Sequence, residues 1–143
     1  MDVKDIKIDD ELKNLLPPLS FDELLGLEED IKKHGVLDPI IVWNGFIADG
    51  HNRYSICRKL GIESVDTKEL HKDSKAEVME WIIDHQFARR NIKKTEQIYA
   101  LEKLRKKKEE EKKTRSLANL KRGTKKVSDG ENFPNRENGK TYD

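Results

Sequence analysis

Apolar residues in this chain come in short blocks, and each block carries its own period. Between Ser20 and Gly35, Leu24, Leu27 and Ile31 recur at helical spacing. Ser20 and Glu23 form a capping box at the start of that stretch, and Lys32, Lys33 and His34 stand near its end before Gly35. The next block, Leu37-Asp-Pro-Ile-Ile-Val-Trp43, is rich in β-branched residues, with Pro39 where a strand tolerates a missing donor. Asn44-Gly45 is a type I′ hairpin signal, so Phe46-Ile-Ala-Asp49 returns as the second strand. A short helix is expected from Asn52 to Leu60, stopped by Gly61, and Ser64–Leu70 gives a weaker, polar third strand. Ser74 and Glu77 open a helix through Phe87, with Val78, Trp81, Ile82 and His85 on one side. A last helix, starting at Thr95, carries Ile98, Leu101 and Leu104 and runs into Arg105-Lys-Lys-Lys-Glu-Glu-Glu-Lys-Lys113.

Four segments follow from this pattern: a charged leader over 1–19 that ends at Pro17-Pro18, a domain over 20–92, a basic helical arm over 93–122, and a flexible tail over 123–143 rich in Gly, Asn, Ser and Pro. The order of elements makes the domain α+β, small, with the arm appended. Glu–Lys pairs can support the arm as a helix although it offers little to bury.

Composition sharpens the division. Of 143 residues, 34% are hydrophobic and 40% charged, so the core must come from part of the length. The net charge of +1 conceals an asymmetry. Residues 1–92 hold 13 Lys and Arg against 19 Asp and Glu, whereas residues 93–143 hold 16 against 9. A basic arm attracts polyanions, DNA foremost, and Lys106, Lys107, Lys108, Lys112 and Lys113 are its candidate contacts to backbone phosphates. The alternative is a solvated charged helix. No apolar run reaches the roughly 20 residues needed to cross a bilayer, so no membrane partner is expected. The single cysteine, Cys57, fits a reducing cytoplasm and is expected to pack rather than react.

The chemistry concentrates in Asp49-Gly50-His51-Asn52-Arg53, where the hairpin leads into a helix. A helix N-terminus offers unpaired N–H groups and partial positive charge, and a glycine before it admits a ligand to the backbone. His51 and Asn52 add donors, and Arg53 can grip a phosphate with two bonds. Asp49 can hold a divalent metal, accept a proton or orient Arg53. It can equally be a plain N-cap, with His51 a surface residue. A second cluster, Asp84 to Ile92, ends one helix and begins the link to the next; Arg89 and Arg90 there can bind phosphates or cap carbonyls. Spaced metal ligands, a P-loop and a nucleophile–base pair are all missing from the sequence.

The string Ile31-Lys-Lys-His-Gly-Val-Leu-Asp-Pro-Ile-Ile-Val-Trp43, the Asn-Gly turn and Phe46 to Ile62 resemble the N-terminal domain of ParB-type partition proteins, of the ParB/sulfiredoxin fold. The resemblance extends through Trp81 to Leu101, covering about residues 20–105, and is nearest to ParB-like proteins of phages, plasmids and other mobile elements. It implies a nucleoside triphosphate site, for CTP or ATP with magnesium, in which Gly50, Arg53 and Tyr54 match the phosphate motif while His51 and Asn52 depart from it. The family's acid–amide pair for magnesium falls near Asp84-His85. The sulfiredoxin branch keeps a reactive cysteine in this motif, and here there is none. The serine-kinase branch has an Asp-Gly-His-x-Arg string like residues 49–53, which would make Asp49 or His51 a catalytic base. The segment Asn132 to Asp143 is similar to one that precedes a helix-turn-helix in mobile-element relatives, so the chain is expected to be the N-terminal part of a longer DNA-binding protein.

The leading expectation is therefore a DNA-associated partition or regulatory protein, with a homodimer left open, and with a nucleotide at Gly50–Tyr54 aided by Arg89 and Arg90. The alternatives are a small phosphotransferase or phosphodiesterase, and a binding module whose site no longer takes a nucleotide.

Overall fold

The computed structural model describes residues 1–129. They divide into two units, one of Met1–Arg105 and one beginning at Lys106. The first unit contains a 3-10 turn at Val3–Asp5, then α1 (Asp10–Lys13), α2 (Phe21–His34), β1 (Ile40–Trp43), β2 (Phe46–Asp49), α3 (His51–Leu60), β3 (Thr67–Glu69) and α4 (Lys75–Arg89). The last helix, α5 (Lys94–Asp129), begins in the first unit and continues in the second. The architecture is α+β, as the sequence implies.

Local chemistry sets most boundaries. The capping box at α2 is complete: Glu23 N–H donates to Ser20 Oγ at 3.2 Å, and Ser20 N–H to Glu23 Oε1 at 2.9 Å. Asn44 and Gly45 both have positive φ, 51° and 84°, the type I′ pair that the Asn-Gly dipeptide favours. At α4 the Ser74 hydroxyl accepts from Glu77 N–H, but Glu77 reaches back to Asp73 N–H at 3.4 Å. α5 starts one residue before Thr95, with Glu96 Oε1 accepting from Lys93 N–H.

The sheet has the order β2-β1-β3, with β1 and β2 antiparallel and β1 and β3 parallel. Pairing runs Trp43↔Phe46 and Val42↔Ile47, then jumps to Ile41↔Asp49, so Ala48 is an extra residue in a bulge. One core lies on the side of α3, where Ile40, Val42, Ile47, Tyr54, Cys57 and Val65 pack with Val3 and Ile6. The other lies under α4, where Ala48, Val78, Met79, Ile82 and Ile83 pack with Leu12, Leu15, Ala100 and Leu104. Strict alternation would return Asp49 to the side of Ile47. The bulge instead leaves it opposite Ile41, on the α4 side.

The leader differs from its expected role. Val3, Ile6, Leu12 and Leu15 are buried, so residues 1–19 belong to the domain rather than preceding it. Backbone bonds join Val3 N–H to Glu63 O at 2.8 Å, beyond α3, and Lys7 N–H to Gly45 O at 2.9 Å and Ile47 N–H to Lys7 O at 3.0 Å, at the start of β2. Asp9 caps α1 by accepting from Glu11 and Leu12, and Lys75 on α4 holds both Asp9, at 2.6 Å, and Glu11, at 2.9 Å. Burial would raise the Asp9 carboxyl, but the bond from Lys75 and the cap amides together hold it below its ordinary value.

At the other boundary, Ile92, Ala100 and Leu104 are buried, so the domain extends beyond residue 92. On α5, Ala100 and Leu104 form the inward face, while Ile98 and Leu101, the other apolar residues the sequence marks there, are exposed. The helix also continues to Asp129, past the expected start of the tail at 123, and the rest of that tail lies outside the described residues. Within the second unit, Lys107 pairs with Glu110 at 3.4 Å, and Lys106, Lys108, Lys112 and Lys113 are exposed.

Candidate functional site

β2 delivers Asp49 and stops. Gly50 then adopts φ 115° and ψ 23° as the N-cap of α3, and no side chain caps that helix. The first helical bond is Tyr54 N–H to Gly50 O, at 2.9 Å, so the amides of His51, Asn52 and Arg53 precede the helical ladder. A Cβ on Gly50 would meet Arg53 Nη2 at 3.0 Å and Ile40 Cγ1 at 3.2 Å, on top of the strain of its positive φ. Both the backbone and the neighbours therefore favour glycine here.

Asp49 is not the cap. Its Oδ1 accepts from Gln86 Nε2 at 2.8 Å, and its Oδ2 lies 3.6 Å from both Arg53 Nη2 and His85 Nε2. Arg53 Nη2 also donates to Pro39 O at 3.2 Å. Of the roles open to Asp49, orientation of Arg53 is therefore the one its contacts match. The guanidinium is held from one side, and its Nε is buried with no partner. His51 Nε2 is in the same condition. Two orphaned polar nitrogens in one turn are expensive unless a ligand or water meets them.

A cleft of about 410 Å³ opens over this turn. The leader supplies one wall, through Leu12, Lys13, Leu16 and Pro17; α4 supplies another, through Ile82, Gln86, Arg89 and Arg90. Gly50, His51, Asn52 and Arg53 form the polar end. Burial pushes the His51 imidazole down to about 4, and the charge of Lys13 pushes the same way against the weaker pull of Asp49 and Asp9. His51 is thus neutral at pH 7. Arg89 Nη1 lies 2.8 Å from His85 Nε2, and Arg90 Nη2 donates to Pro18 O at 3.5 Å. A second cavity of about 310 Å³ lies across the Asp49–Arg53 pair, bordered by Pro39, Lys68, Trp81 and His85, with Trp81 and His85 stacked at 4.6 Å.

The structure thus gathers Gly50, His51, Asn52, Arg53, Arg89 and Arg90 around one cleft. Tyr54 does not join them. Its ring is buried in the core beneath α3, and its hydroxyl accepts from Arg58 at 3.2 Å; the rotation of about 100° from Arg53 to the next residue turns it away from the cleft. Asp84 is exposed on α4 and lines neither cavity. Lys13 and Gln86 belong to the site although their roles were not evident from sequence. Gln86 lies within the second polar cluster, Asp84 to Ile92, whereas nothing distinguishes Lys13 among the leader's charges.

No known protein-family model matches the chain. Over 100 residues it is 36% identical to the uncharacterized protein ORF326b of Acidianus two-tailed virus, an alignment that covers 68% of this chain and 30% of the viral protein. Among solved structures it is similar to the C2221 form of a pNOB8-like ParB N-domain, with a TM-score of 0.63 at 22% identity, covering 93% of this chain and 51% of that one. A second structure of the pNOB8-like ParB N-domain gives 0.61 at 23%, covering 94% and 48%. The C-terminally truncated chromosome-partitioning protein ParB from Caulobacter crescentus, complexed with CTP-gamma-S, gives 0.54 at 19%, covering 64% and 53%. The chain spans about half the length of these solved chains. Its fold is that of a ParB N-domain, as the motif resemblance implied.

Proposed function

We propose that the cleft binds the phosphates of a nucleotide and that the chain is the ParB-like part of a partition-type or regulatory DNA-associated protein. The observation that carries this reading is the turn at Gly50. Uncapped amides, a glycine whose positive φ and tight neighbours disfavour a side chain, and His51 and Arg53, each with a buried nitrogen lacking a partner, all belong to one polar end of the cleft. The Caulobacter neighbour, solved with CTP-gamma-S, supports a nucleotide as the ligand class.

The amides of residues 51–53 and the guanidinium of Arg53 would hold one phosphoryl group, with Arg89 and Arg90 on the α4 wall for the others. A bound nucleotide would supply its own polyphosphate charge and any magnesium it carries. The side chains do not fit a magnesium held by Asp84: that carboxylate lines neither cavity, and among the described residues no group of three or more acidic, His or Cys side chains could hold a metal.

An enzymatic role finds less support. Asp49 is engaged by Gln86, Arg53 and His85, and the low proton affinity of His51 makes it a poor general base. On the arm, Lys106, Lys107, Lys108, Lys112 and Lys113 would contact DNA backbone phosphates without reading sequence. Among the described residues, no helix is long and apolar enough to cross a membrane.

Calorimetric titration of the full chain with CTP and ATP tests the nucleotide. Saturable binding to one of them, lost in Arg53→Ala with the fold retained, is expected; absence of binding to either would refute it. DNA association is tested separately with labelled duplex. Affinity should fall steeply with salt, and replacing those five lysines should flatten the dependence. Sedimentation with and without nucleotide tests pairing of two copies.

A further inference from the structure

The leader brings one cation to the cleft that no group among the described residues neutralises. Lys13 closes α1 and lines the cleft together with Gly50, His51, Asn52 and Arg53. The other cations there are engaged: Arg53 by Asp49 and Pro39, Arg89 by His85, Arg90 by Pro18. Two of the three acids just before it are spoken for, because Lys75 takes both Asp9 and Glu11, and among the described residues Asp10 forms no ion pair with Lys13. Among the described residues, the Lys13 ammonium forms no hydrogen bond or ion pair. Its charge nevertheless reaches the site, since it helps keep His51 unprotonated.

Its side chain is exposed, but the backbone that carries it is held in place. Leu12 and Leu15, on either side, are 3% and 1% exposed, and α1 is pinned by the Asp9 cap and by Lys75. The backbone that carries Lys13 is therefore fixed relative to α3 and α4, and only the side chain needs ordering when a ligand arrives. The amides of α3 and the Arg53 guanidinium suit a single phosphoryl group. A compact point charge on a separate wall suits a second one.

We infer that Lys13 is a specificity-determining residue that selects ligands carrying two or more linked phosphates over a single phosphate. The inference rests on the phosphate reading of the cleft and adds to it the class of ligand and a contact from the leader.

The test is titration of the full chain with orthophosphate, pyrophosphate and tripolyphosphate at one ionic strength, in the native protein and in Lys13→Met, Lys13→Arg and Lys33→Met. Lys33 is exposed on α2 and lies outside the cleft, so its variant controls for net charge. Lys13→Met is expected to weaken pyrophosphate and tripolyphosphate about tenfold. Orthophosphate should change less than about twofold, Lys13→Arg should keep most of the affinity, and Lys33→Met should match the native protein. Melting temperatures without ligand should coincide. Equal weakening of all three anions, no weakening at all, or the same loss in Lys33→Met would overturn the role of Lys13 while leaving a phosphate site in place. Failure of the native protein to bind any of the three would overturn the phosphate reading itself, and the role of Lys13 with it.

Discussion

The carboxamide of Gln86 donates to Oδ1 of Asp49 at 2.8 Å, joining residues 37 apart in the chain. This bond fixes the end of β2 against α4 and leaves Oδ2 to face Arg53 and His85. Asp49 thereby links three elements rather than waiting as a free base. Gln86→Leu keeps the bulk but strands a half-buried carboxylate oxygen, so stability should fall by about 1–3 kcal/mol in urea denaturation. Pairing it with Asp49→Asn should cost less than the sum of the two changes, because both remove the same contact. Strict additivity in that cycle would show that the two side chains act independently.

Gly50→Ala should be costly for two separable reasons. The strained φ and the approach to Arg53 Nη2 and Ile40 together predict a loss of about 1–3 kcal/mol. The displaced guanidinium should also weaken anion binding at temperatures where the variant remains folded. Gly26, whose Cβ would meet nothing within 4 Å and which lies inside α2, provides the contrast. Gly26→Ala should stabilise by roughly 0.5–1 kcal/mol. A thermal melt of both variants checks the opposite signs.

The pH dependence of stability should carry the mark of His51. Its folded proton affinity is depressed from 6.5 to about 4, first by burial and then by Lys13. On acidification the unfolded chain therefore takes up the proton first. Its contribution is fully present above pH 6.5 and is lost progressively as pH falls towards 4. His51→Gln should flatten the slope in that window. Denaturant midpoints at pH 7.0, 5.5 and 4.5 in both proteins decide the matter, and an unchanged slope would place the imidazole in a more open setting.

Truncating the leader should be a folding lesion. Leu15 is 1% exposed in the core beneath α4, so Leu15→Ala is expected to cost about 2–5 kcal/mol. Amide exchange should show protection from Leu12 onward lost together with that of α4. A chain beginning at Ser20 that unfolds with the same midpoint as the full chain would contradict this placement.

Features that depend on adjacent residues were legible in the sequence. The capping box at Ser20 and Glu23, the Asn44-Gly45 turn and the stop at Gly61 are each set by chemistry within a few positions, and all three appear. The polar turn was visible for the same reason. The leader's packing was hidden because Val3, Ile6, Leu12 and Leu15 are spread among acids and lysines at no single period. On α5 the small Ala100 is completely buried while the larger Ile98 and Leu101 stay outside, since the face that meets the core decides burial and not the size of the side chain. The state of Asp49 and Arg53 was hidden most deeply, for it depends on Gln86 and Pro39, which only the tertiary fold brings near.

The extra residue in β2 has a consequence for comparing this chain with its relatives. A homologue with a regular hairpin arm would reach the α4 side of the sheet one place nearer the Asn44-Gly45 turn, with its acid directly after the residue matching Ile47. A gapless alignment would set that acid against Ala48 and record Asp49 as unshared. The two carboxylates would still occupy equivalent points in space, so a single-position gap belongs at Ala48 whenever such sequences are aligned.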